Sequence, residues 1–201
     1  MKSNLKRLVA AIAITGTAFT GSAYAASATD IATPFSVANN LNLSIVIPAF
    51  LYFRVGTDTA TIDTITFSPA ALNVGNSVSV AGTGGDAGGG TASNVAARGN
   101  NGQITIGTTV TGGGLGMGTG TASDGFINYT QVTTTTSSAN IPAPVLANAA
   151  IPNVLVVLGG GPAGAGKVTD RTAVWTYGYA NTTVPSAGTY TGTVTYTATM
   201  P

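Results

Sequence analysis

The sequence predicts an all-β protein, a sandwich of short strands. Three observations carry that prediction. The run Tyr190 to Met200, YTGTVTYTATM, alternates: Tyr190, Gly192, Val194, Tyr196, Ala198 and Met200 share one face, and five threonines share the other. That is the period of a strand with one apolar side. Upstream, Val174 to Tyr179 sets Trp175, Tyr177 and Tyr179 on one face, and the intervening turn signal Pro185-Ser186-Ala187-Gly188 makes the two runs an expected antiparallel pair. Several further short alternating runs are separated by glycine clusters, and no segment of the mature chain has a helical period.

Taken in order, the chain begins with Lys2, Lys6 and Arg7, then a short apolar stretch from Leu8 to Phe19 and a small-x-small site at Ala23-Tyr24-Ala25. This pattern predicts a secretory signal peptide over residues 1–25 rather than a membrane span, which needs ~20 apolar residues. Cleavage there removes three of the seven basic residues and leaves four against six acidic ones, a net charge of −2 over 176 residues. No basic footprint for nucleic acid or an anionic membrane remains. Charged residues are only 6% of the chain and cysteine is absent, so packing or a partner, not a disulfide framework, must supply stability.

From Thr29 a second alternation begins, with Ile31, Phe35, Val37, Leu41, Leu43, Ile45 and Ile47 at odd positions. Fully extended it would reach ~60 Å, beyond the length of an ordinary strand. A split at the turn-prone pair Asn39-Asn40 leaves an N-terminal extension, residues 26–38, and a domain, residues 39–201, whose first strand is Leu41 to Ile47. Pro48 then breaks the ladder, and Leu51, Phe53 and Val55 resume the alternation. Further strands are expected at Thr61 to Phe67, Val74 to Val80, Gln103 to Val110, Phe126 to Thr135 and Val154 to Leu158. The glycine clusters Gly82 to Gly90, Gly112 to Gly120 and Gly159 to Gly166 read as uncharged loops.

Catalytic chemistry has little to work with. There is no histidine and no glutamate, and the six aspartates are scattered. This excludes Ser-His-Asp and Cys-His catalysis and the usual zinc sites, and it leaves no convergent carboxylate pair for glycoside hydrolysis. Asp86 after two glycines has no tandem copies to make a calcium repeat. Gly161 to Lys167 fits G-x-x-x-x-G-K, but Val168 stands where a phosphate-binding loop needs Ser or Thr, and the next stretch reads as strand. The expectation is a non-enzyme with no cofactor and no metal.

A signal peptide, a free alternating N-terminal segment, a β-sandwich and the C-terminal strand GTYTGTVTYTA (Gly188 to Ala198) together resemble fimbrial subunits of the bacterial chaperone–usher pathway, of the archaic type related to spore coat U proteins. The resemblance implies an immunoglobulin-like sandwich missing one strand, with a free N-terminal donor strand that fills the gap of the next subunit. It implies that Ile31, Phe35 and Val37 are the groove-filling side chains and that the final strand, with Tyr190, Val194 and Tyr196, borders the acceptor groove. The implied partners are copies of the chain or related subunits, a periplasmic chaperone and an outer-membrane usher. The implied destination is a cell-surface fimbria with a role in adhesion or biofilm. Two alternatives stay open. The extension pairs within its own sandwich, or the protein is a monomeric secreted binding module for carbohydrate or surface matrix, using Tyr52, Trp175, Tyr177 and Tyr179 as an aromatic platform.

Overall fold

A computed structural model describes residues 29–31, 33–59, 61–112, 114–117, 125–160 and 166–201. The expected signal peptide lies outside these residues, as do Asp124 and parts of the second and third glycine loops. The chain divides between Val46 and Ile47 into two units.

In the first unit, the described residues 29–46 contain neither strand nor helix. The Asp30 carboxylate accepts the Ser36 backbone N–H at 2.9 Å. Leu41 to Ile47, expected as the first strand of the domain, is not one: it joins no ladder, and Leu41, Leu43 and Ile45 are 83–86% exposed. The reason lies just downstream. The Asn100 side chain donates to the Pro48 carbonyl at 2.8 Å and accepts the Phe50 N–H at 2.9 Å. Pro48 has no N–H to offer, so pairing starts only after this clamp.

The second unit is an all-β sandwich of antiparallel sheets. Its strands are β1 (Leu51–Val55), β2 (Val80–Ala81), β3 (Ala92–Gly99), β4 (Thr105–Val110), β5 (Leu115–Met117), β6 (Phe126–Ile127), β7 (Val132–Thr136), β8 (Val154–Leu155), β9 (Thr169–Tyr179), β10 (Tyr190–Thr191) and β11 (Val194–Thr199). One layer has β9 at its centre, with β3 and β2 on one side, β7 on the other, and β1 outside β3. In the facing layer β11 pairs with β4 and β4 with β8, while β10 pairs with β5 and β5 with β6. The two C-terminal strands therefore run antiparallel to two successive strands of the 105–117 stretch.

The core forms where inward side chains of the layers meet. Val95 and Ala97 of β3, Ile106 of β4, and Trp175 and Tyr177 of β9 belong to one buried cluster. Trp175 is fully buried, and its indole N–H donates to the Ile141 carbonyl at 3.2 Å, which satisfies the polar handle of the largest core side chain. Ile141, Leu146 and Ile151 complete the cluster from an irregular stretch.

Several expectations needed correction. Val174 to Tyr179 and Tyr190 to Met200 do not pair. They occupy opposite layers and meet side chain to side chain, with the Trp175 and Tyr196 rings 5.1 Å apart. Period two assigns faces, and facing residues of two layers look the same in sequence as those of two paired strands. Thr61 to Phe67 keeps the alternation, with Ile65 and Phe67 turned inward, but forms only one bridge, Thr66 to Thr83. Of Val74 to Val80 only Val80 enters a strand. The rest is drawn aside by Asn181, which is buried, accepts the Gly75 N–H at 2.8 Å through its side chain and accepts the Ser77 N–H at 2.9 Å through its carbonyl. The long strand β3 was not anticipated, and β5 lies inside what reads as a glycine loop.

Candidate functional site: two neighbouring strand edges

Among the described residues, two neighbouring strands each have one edge without a ladder partner. β1 has a single ladder partner, β3, and β11 has a single partner, β4. β1 and β11 are neighbours in space with no ladder between them. An edge strand presents a row of free N–H and C=O groups, a template for a further strand.

Side chains at this margin have the character of an unfinished core. On β11, Val194, Tyr196 and Ala198 point inward and the threonines between them point to solvent, as the alternation predicts. Phe53 and Val55 of β1 point inward opposite Ala97 and Val95 of β3. All five pack on the buried cluster and none is itself fully covered. Ile65 and Phe67 pack on the same cluster, Phe67 with its ring 6.4 Å from that of Tyr179. Tyr190 stands apart on β10, its hydroxyl donating to the Ser186 carbonyl at 3.0 Å.

Tyr196 anchors this margin. It stacks at a tilt on Trp175, and its hydroxyl lies 3.3 Å from that of Tyr177. Burial pushes the Tyr196 phenol well above its ordinary range, and the neighbouring Tyr177 adds to the effect. Burial also raises Tyr177, with the Tyr196 hydrogen bond acting the other way. Both are neutral at physiological pH and supply ring surface rather than acid–base chemistry. Among the described residues no group of three His, Cys, Asp or Glu side chains could hold a metal. No helix among them is long and apolar enough to cross a membrane.

Of the donor residues, Ile31, Phe35 and Val37 are 90%, 69% and 50% exposed. Together with Leu41, Leu43, Ile45 and Ile47 they make one exposed apolar series, longer than the sequence split at Asn39-Asn40 implied. Phe53 and Val55, the inward residues of the β1 edge, are not among the expected site residues although their alternation is visible in the sequence. What was not visible is that the strand carrying them sits at an edge.

The aromatic platform proposed for a binding module does not exist. Trp175, Tyr177 and Tyr179 are core residues, and Tyr52 alone of the four is partly exposed. Gly161 to Lys167 falls largely outside the described residues. The element after it is β9, a strand where a phosphate-binding loop requires a helix.

No protein family, curated protein or solved structure matches this chain.

Proposed function

We propose that this protein is an exported structural subunit of an extracellular fimbria or filament, assembled by strand addition between copies. The observation that carries the reading is a pairing of two deficits. The margin between the unpaired edges of β1 and β11 is lined by apolar side chains that are only partly covered, and on this reading it opens as the acceptor cleft. The same chain has an N-terminal series of exposed apolar side chains, Ile31 through Ile47 at odd positions, with no ladder of its own. A strand seated in the cleft gains main-chain hydrogen bonds to both edges, and its alternate side chains set the register. Each deficit is a liability alone, as exposed edge or exposed apolar surface, and each removes the other.

On this reading the fold is an immunoglobulin-like sandwich lacking one strand, completed by the extension of the next subunit. A periplasmic chaperone would occupy the cleft in transit, and an outer-membrane usher would export the polymer to the cell surface, where it serves adhesion or biofilm. Pro34 has no N–H, so the donor contributes one fewer ladder bond at that position.

The test is deletion of residues 26–46 behind an intact leader. The expected outcome is a secreted monomer, with cell-surface filaments absent by electron microscopy and no heat-sensitive ladder on unboiled SDS gels. Filaments of normal appearance from the deleted chain would overturn the proposal.

A further inference from the structure

The outer face of the β1–β3–β9 sheet carries a feature that the cleft does not use. A hollow of about 630 Å³ opens there, within the usual size of a small-ligand site. Its cause is the cross-strand register. In one row Tyr52, Arg98 and Asp170 lie side by side; in the next, Arg54 and Thr172 flank Ala96. Ala96, with only a methyl group, lies between longer side chains and is 6% exposed although it faces outward. It forms the floor.

The four charged groups around the hollow are not equally engaged. The Arg98 Nε donates to an Asp170 carboxylate oxygen at 2.9 Å. Arg54 reaches Asp58 only at 4.0 Å, and the Asp58 side chain is 76% exposed, a geometry that contributes little. The Arg54 Nε is buried and has no hydrogen-bond partner among the described residues. That nitrogen is closed to solvent, so a ligand in the hollow meets the terminal nitrogens of Arg54, whose side chain keeps 30% of its surface exposed and is held there only by the weak Asp58 contact. The matching ligand group is a carboxylate, which the guanidinium fork binds in bidentate fashion.

The surroundings narrow the class further. Tyr52 and Phe50 at the rim expose part of their rings, apolar surface suited to the C–H face of a sugar. The Arg98–Asp170 pair offers a donor and an acceptor side by side for neighbouring hydroxyls. The strands beneath are paired with one another across the hollow, so no free backbone is available there for a peptide to bind as a strand. We infer that this hollow binds a carboxylated saccharide of the uronic-acid type. Arg54 holds the carboxylate, the Tyr52 ring carries the sugar face, and Arg98 with Asp170 takes hydroxyls. The inference is independent of what fills the cleft, because these side chains lie on the opposite face of the sheet from Phe53 and Val55.

The experiment titrates the secreted chain with a galacturonate tetrasaccharide, followed by calorimetry and by NMR. Saturable binding is expected, and the fully methyl-esterified tetrasaccharide should bind about ten- to hundredfold more weakly, the scale of one lost charge-assisted bidentate pair. Arg54→Gln should lose a similar factor with an unchanged melting temperature. Asp58→Asn removes the weak competitor at an exposed position and should tighten binding. This variant decides the matter if Arg54→Gln does not fold. No saturable binding, equal affinity for the ester, an Asp58→Asn variant no tighter than wild type, or an equal response to an acidic peptide of the same charge would overturn the inference.

Discussion

Phe35→Ala separates strand exchange between copies from pairing within one chain. In the structure Phe35 is 69% exposed and lies in a stretch, residues 33–46, without ladder bonds. About two thirds of its surface therefore remains to be buried. Complete burial of a Phe side chain is worth ~1.5–3 kcal/mol by transfer, so about 1–2 kcal/mol is unrealised in the isolated chain. Once the side chain is seated in a packed groove, truncation costs more, ~3–5 kcal/mol, because a cavity is left behind. At ~1.4 kcal/mol per decade, that weakens subunit joining by a factor of roughly a hundred to several thousand. The isolated monomer should hardly notice. The assay melts monomer separated by size exclusion, with and without the substitution, and runs both proteins unboiled on SDS gels. An unchanged melting temperature with loss of the heat-sensitive ladder is the expected pair of results. If Phe35 instead belonged to its own core, the same ~3–5 kcal/mol would lower the monomer's melting temperature by about 6–20 °C at this chain length. A drop of that size would refute the reasoning.

Two further outcomes concern the core. Asn181→Ala should cost ~2–5 kcal/mol in urea unfolding. Its buried side chain bonds the Gly75 N–H and the Asn73 carbonyl, each at 2.8 Å, and each group left unsatisfied costs ~1–3 kcal/mol. Its φ of 54° also lies where Asn is tolerated far better than Ala. Stability should also fall at high pH. Burial raises the Tyr177 and Tyr196 phenols above their unfolded value of 10.0, so the folded chain keeps protons that the unfolded chain releases. Their contribution is complete below that value and is lost as pH rises beyond it, at up to ~1.4 kcal/mol per pH unit for each phenol. Urea midpoints measured from pH 8 upward should hold steady to about 10 and then decline, with a shallower decline in Tyr196→Phe. A flat profile would show that these phenols titrate normally in the fold.

Much of the class and the side-chain facing was legible in the sequence. Val194, Tyr196 and Ala198 turn inward and the threonines outward as their alternation requires, and Trp175, Tyr177 and Tyr179 are buried on one face of β9. Period two follows from backbone geometry alone, so it survives any choice of partner. The identity of the neighbour does not follow from it. Trp175 meets Tyr196 across the layers, not along a ladder, because partner choice depends on contacts between residues distant in sequence. β3 was invisible for a different reason. ASNVAARG holds residues of low strand propensity, and most of its length is buried on both faces, so it neither alternates nor looks extended. Tertiary structure alone decided that β1 and β11 end as unpaired neighbours. It likewise set Arg54 beside an alanine in the adjacent strand, through a register that one residue of slip would have reversed.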